Sequence, residues 1–142
     1  MSLTLEIADS IIAAARAKGR ELNLKPLTIA VLDAGGHLKA LTREDGASNI
    51  RPKVAQGKAS GAIAVGVGSR ALFNRAQEQP YFVGALTPLT DGGLIPVPGG
   101  VLIRDQTGDI VGGVGITGDS SDNDEACAIA GIEAVGLTAD AG

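Results

Sequence analysis

The chemistry this chain offers is concentrated in one histidine, three spaced cations and one adjacent pair of acids. His37 is the only imidazole in 142 residues. A neutral imidazole that titrates near pH 7 can ligate iron or carry a proton, which makes His37 the candidate metal ligand. Beside the Gly35-Gly36 turn it can equally be a solvent-facing residue of a hairpin, and the residues alone leave both readings open. Arg43, Arg51 and Lys58 are candidate partners for the carboxylates of a bound ligand, because a guanidinium meets a carboxylate through two parallel hydrogen bonds. The competing use of these cations is an intrachain pair with Glu44 or Asp45. Those two acids are also the catalytic candidates, as a general base next to a substrate-carboxylate clamp.

The segment Pro96-Val97-Pro98-Gly99-Gly100 completes the set. Each proline lacks a ladder donor and the glycine pair permits positive φ, so the spacing predicts a bend that exposes backbone amides. A flat or anionic ligand could approach the main chain closely at Pro98, Gly99 and Gly100. The expected pocket lies between this bend, the Arg43 to Gly46 turn and the helix that carries Lys58.

Other motifs carry less. Gly113-Val114-Gly115-Ile116-Thr117-Gly118 matches GxGxxG, yet only 24 residues follow Gly118, too few for the second strand and ribose-binding acid of a dinucleotide fold. A glycine-rich strand under a closely packed helix is the better account. Gly66-Val67-Gly68-Ser69-Arg70 lacks the Gly-Lys-Ser/Thr ending of a phosphate loop and reads as a helix break. Asp122-Asn123-Asp124 starts like a calcium loop, but Ala126 stands where the next ligand belongs, so a capped helix start is expected. With one histidine and one cysteine far apart in sequence, no zinc cluster or redundant His-dependent triad can be drawn, and no serine sits in a GxSxG nucleophile elbow.

The elements that must position these residues follow from periodicity. Leu5, Ala8, Ile12, Ala15 and Leu22 recur at helical spacing between Thr4 and Leu22. Leu27 to Leu32 reads as a buried strand, Asp33-Ala34-Gly35-Gly36 as a turn, and His37 to Arg43 as the returning strand. Alternation in that strand sets His37, Lys39, Leu41 and Arg43 on one face. Ser48 or Asn49 can cap a helix running to Val65 and rich in Ala and Gly, on which Lys58 has apolar neighbours. A lysine there either snorkels to water or awaits an anion. Ala71 to Gln79 is a short helix, and Pro80 to Thr90 gives no clear preference.

Asp91 to Gly118 organises the rest. Its two apolar runs around Asp105-Gln106-Thr107-Gly108 predict a hairpin at the centre of a sheet. A last helix reaches about Val135. The expected order is helix, two strands, helices, three strands, helix: an α+β fold, one antiparallel sheet of about five strands flanked by helices, with residues 1–142 as one domain.

Composition narrows the function classes. Aromatic residues make up 2% of the chain and the net charge is −4, so base stacking and a phosphate-backbone footprint are both missing and nucleic-acid partners are not expected. The 21 glycines, about twice the usual ~7%, accompany 44% hydrophobic residues and argue for close backbone packing rather than disorder. A single cysteine, Cys127, excludes an intrachain disulfide. No apolar run reaches the ~18 residues a membrane span needs and no leader pattern opens the sequence, so a soluble cytoplasmic protein is the default.

Val31-Leu32-Asp33-Ala34-Gly35-Gly36-His37-Leu38, Arg43-Glu44-Asp45-Gly46-Ala47, Gly57-Lys58-Ala59, Ile95 to Val101, and Asp124-Glu125-Ala126 through Ala130-Gly131-Ile132 together resemble the GlcG/HbpS family of haem-binding or haem-degrading proteins. The resemblance runs over nearly the full length. It implies a five-stranded antiparallel sheet flanked by helices, homo-oligomeric assembly and a haem or other tetrapyrrole ligand. Relatives also occur as the carboxy-terminal domain of some cobalamin adenosyltransferases and in catabolic operons. Where relatives commonly read Arg-Met-Asp-Gly, this chain has Arg43-Glu44-Asp45-Gly46. The leading expectation is thus a cytoplasmic homo-oligomeric haem-binding or haem-degrading protein, without zinc, calcium or a dinucleotide. An enzyme or accessory subunit of a catabolic operon, acting on a small acidic metabolite, is the alternative.

Overall fold

A computed structural model describes all 142 residues. The helix α1 (Leu5–Glu21) starts where the Thr4 side chain accepts from the N–H of Ile7, and buries Ala8, Ile11, Ile12 and Ala15. Next come β1 (Thr28–Asp33), β2 (Leu38–Arg43), α2 (Arg51–Val65), α3 (Ser69–Glu78) and α4 (Pro80–Leu89). The chain closes with β3 (Gly100–Arg104), β4 (Ile110–Thr117), α5 (Ser121–Ala134) and β5 (Thr138–Asp140). All strands join one antiparallel sheet in the order β2-β1-β4-β3-β5, so the fold is α+β and the β3–β4 hairpin does occupy the middle.

The two faces of the sheet are packed differently. Toward α1 and α5, strand side chains such as Ile29, Val31, Val101, Ile103, Val114 and Ile116 meet Ile11 and Ile132 in a conventional aliphatic core. Toward α2 the sheet is nearly bare. Gly115 lies between Ala30 and Gly100 in the register, and a Cβ on it would stand 1.8 Å from the carbonyl oxygen of Ala55. A Cβ on Gly100 would stand 2.1 Å from the carbonyl oxygen of Lys58. The glycine-rich strand therefore does what the GxGxxG match could not: it lets α2 rest on the strand backbones, with Ala30, Leu32, Ala55 and Ala59 filling the seam and Leu41 and Ile63 packed at its margin.

Three local expectations change. The stretch from Pro80, where the sequence shows no preference, is α4, with Pro80 in the first turn where a missing N–H costs nothing. It packs with α3 around Leu72, Val83 and Leu94, and the Arg75 guanidinium sits 4.2 Å from the Phe82 ring centroid. The third late strand is not before the last helix but after it: β5 pairs only three residues along β3, too short a run to register as a pattern. Neither Ser48 nor Asn49 caps α2; Ile50 holds that position with no side-chain hydrogen bond. No helix is long and apolar enough to cross a membrane.

Candidate functional site

The sequence-predicted residues fall into three separate places. His37 follows the β1–β2 turn, where Asp33 Oδ1 accepts from the N–H of Gly35 and of His37, both at 3.0 Å. The same oxygen lies 3.3 Å from His37 Nδ1, while Nε2 makes no hydrogen bond and the side chain is 81% exposed. The His37 N–H, helped by that of Gly35, holds the Asp33 carboxyl below the usual carboxylate range against the desolvation that would raise it. A cavity of 450 Å³ opens here, lined by His37, Lys39, Asp33 and, from the neighbouring hairpin, Asp105, Ile110 and Val111. Asp105 is likewise held low, first by the Thr107 hydroxyl and further by the Asp109 N–H, so it meets the cavity as a carboxylate.

Arg43 stands at the far end of β2, the strand that begins just after His37. Six residues of extended chain separate it from His37, about 20 Å at ~3.3 Å per residue. Its guanidinium donates to Asn49 Oδ1 at 2.9 Å, and Arg51 donates to Thr117 Oγ1 at 2.6 Å. Neither arginine pairs with Glu44 or Asp45. Glu44 is consumed structurally: one oxygen accepts from the Leu27 N–H at 2.7 Å and the other from Arg16 Nε at 3.0 Å, tying β2 to α1. Asp45 is exposed, with no ion pair or hydrogen bond from its carboxylate, so only one of the two catalytic candidates is free.

Lys58 and the Pro98-Gly99-Gly100 bend form the third place, and here the expectation is corrected. Lys58 is 2% exposed; its ammonium donates to the Ile116 carbonyl at 2.9 Å and to Asp124 Oδ2 at 3.2 Å. Burial pulls the Lys58 pKa down and pushes that of Asp124 up, while the ion pair opposes both shifts. The lysine has thus found its anion inside the chain. The bend is filled rather than hollow: Pro98, Gly99 and Gly100 are buried, and a Cβ on Gly99 (φ +124°) would come within 2.8 Å of Lys58 Nζ. The Gly100 amide is not offered to a ligand either, since its N–H donates to Ser69 Oγ at 2.7 Å.

Asp124 is the partner that sequence reasoning missed, 66 residues from Lys58. Its place in the first turn of α5 accounted for it too easily. A lysine among alanines and glycines was the available signal, because such a charge needs a buried acid or a route to water.

A family model described as haem degrading protein HbpS-like matches residues 3–133. Among solved structures, PduOC in a heme complex is 24% identical, with a TM-score of 0.85 over 96% of this chain and 97% of that one. The Klebsiella pneumoniae protein ORFY is 23% identical, with a TM-score of 0.84 over 94% and 90%. A double mutant of Streptomyces reticuli HbpS is 28% identical, with a TM-score of 0.79 over 94% and 86%. At their identities the first two speak for the fold alone. No curated protein matches the sequence.

Proposed function

Because the chain belongs to the HbpS-like family of haem-degrading proteins, we propose that it binds haem, with His37 as the iron ligand. The observation that carries the assignment is the imidazole itself: exposed at the mouth of the 450 Å³ cavity, Nε2 free, and Nδ1 facing the Asp33 carboxylate. Ligating histidines characteristically use one ring nitrogen for the metal while a carboxylate or carbonyl fixes the other. The cavity lies within the ~300–1,000 Å³ range of cofactor sites. Lys39, in the same lining, is the cation available to a haem carboxylate there. Bound at this place the group would supply a redox-active iron.

Arg43 and Arg51 do not serve that same haem within one chain, because about 20 Å of β2 exceeds the reach from a porphyrin iron to its carboxylates. Homo-oligomeric assembly and a cytoplasmic location are part of the proposal. The uncharged α4 supports the first, since it leaves Tyr81 and Leu89 73% and 80% exposed, a large apolar surface for a helix to leave wet.

Hemin titration followed at the Soret band tests the reading. The wild-type protein is expected to shift the band at micromolar concentration, His37→Ala to lose the shift, and Asp33→Asn to bind more weakly, by about tenfold. A wild-type protein that leaves the band unmoved removes the haem reading, and an unchanged spectrum in His37→Ala removes the ligand assignment.

A further inference from the structure

We propose that the cleft between the β1–β2 turn and the end of α4 binds a small zwitterion, an α-amino acid with an aliphatic side chain. Its floor is one face of α2, where Lys53, Gln56, Ser60 and Ala64 recur at helical spacing with Ile63 beside the last of them. Gly36 of the turn forms one wall, and the Thr90 to Gly93 connection after α4 forms the other. Two compartments meet at Gly36, Ser60 and Gly93. One, of 330 Å³, holds Lys53, Gln56 and Asp91; the other, of 240 Å³, holds Ile63, Ala64 and Leu89. The cleft is polar at one end and apolar at the other, so a ligand that fills both must be amphipathic.

Three observations point to the head group. First, opposite charges line the polar compartment and stay apart: neither Lys53 nor Asp91 enters an ion pair or a side-chain hydrogen bond. Elsewhere the chain joins such charges directly, Arg70 with Asp122 and Glu125, and Arg104 with Asp140. A ligand with an adjacent anion and cation spans the interval and satisfies both. Second, the neutral side chains of this compartment are left as acceptors. Gln56 Nε2 donates to the Pro52 carbonyl at 3.1 Å, which frees Oε1, and Ser60 Oγ donates to the Gly93 carbonyl at 2.6 Å, which frees its lone pairs. With the Asp91 carboxylate that makes three acceptors and one cation, the complement of an ammonium with its three N–H donors beside a carboxylate.

Third, Asp91 stands in the left-handed region, at φ 53°, immediately before Gly92 and Gly93. Glycine adopts that conformation freely and an aspartate adopts it at a cost, so the turn keeps a carboxylate at the lip of the cleft where backbone geometry alone favours none. The apolar compartment sets the side chain. Ile63, Ala64 and Leu89 bring no polar group to it, and Ala64 and Leu89 are exposed, so an aliphatic chain laid against them removes that surface from water.

Calorimetric titration of the full chain tests the site, with L-leucine, glycine, isocaproate and isoamylamine as probes. Leucine is expected to bind; isocaproate and isoamylamine, each lacking one of the two charges, are expected to bind more weakly by about tenfold or more. Glycine, which lacks the side chain, should lose about tenfold or more as well. Lys53→Gln and Asp91→Asn should each weaken leucine about tenfold, and asparagine tolerates the left-handed turn as aspartate does, so the second variant removes only the charge. Both variants should keep the wild-type hemin titration, because neither residue lines the His37 cavity. No heat with millimolar leucine, isocaproate binding as tightly as leucine, or unchanged leucine affinity in the two variants would each overturn the proposal.

Discussion

Replacing Asp124 by leucine should be among the most damaging single substitutions this protein can carry. Lys58 and Asp124 are both almost completely buried, so Asp124→Leu leaves an ammonium in the interior with the Ile116 carbonyl as its only acceptor. Removing one partner of a buried pair costs about 3–5 kcal/mol, against a total stability of about 5–15 kcal/mol for a domain. The substitution also deletes the acceptor for the Asp119 N–H at the start of α5. With a urea m-value of about 2 kcal/mol/M, a loss of about 4 kcal/mol moves the unfolding midpoint down by about 2 M. Lys58→Met alone strands the carboxylate and should cost a similar amount. In the double variant Lys58→Met/Asp124→Leu neither charge is buried, and most of the loss should return, because apolar replacements of buried pairs are often neutral or stabilising. Urea melts of the four proteins at pH 7 measure the coupling directly. A double variant as unstable as the sum of the two single ones, or an Asp124→Leu that loses less than about 1 kcal/mol, would refute the claim that the pair is sealed from water.

Two further outcomes concern titration. The Asn123 amide, followed by the N–H groups of Ser120 and Lys25, holds the Asp119 carboxyl at about 2 instead of 3.8. The stabilisation this brings is present above about pH 4 and is lost as pH falls toward 2, so acid unfolding of Asp119→Asn should show a shallower slope in that window; an identical slope would remove the assignment. Burial pushes the Cys127 thiol up to about 11 from 9.0. The stability linked to that proton is complete below pH 9 and is lost between 9 and 11, and the native thiol at pH 8 should react with a thiol reagent about a hundredfold more slowly than in urea. Comparable rates in the two states would show that Cys127 is not enclosed.

The central hairpin was legible because Val101 to Ile103 and Ile110 to Ile116 are apolar runs split by a turn, a signal that depends only on neighbours in sequence. The use of Gly113 and Gly115 as bare strand under a helix was legible for the same reason. Glu44 and Lys58 were not, because what decides their roles lies 17, 28 and 66 residues away, at Leu27, Arg16 and Asp124. Distance along the chain also misled in the other direction: His37 and Arg43 are close in sequence and strict alternation would set them on one face, yet His37 precedes β2, a bulge between Leu38 and Ala40 breaks the alternation, and extended backbone puts the two at opposite ends of the strand. A single pocket built from both required a chain that folds back between them, and β2 does not.

The bare seam beneath α2 has a mechanical corollary. Main chain resting on main chain at Gly100 and Gly115 has no rotamers to shift, and the few side chains beside it leave little to trade, so the helix cannot creep along the sheet by small repacking steps. Whatever displaces its first turn must tilt the rod as a whole, levering the Arg51 end against the other half of the helix, where Ser60 Oγ donates to the Gly93 carbonyl at 2.6 Å.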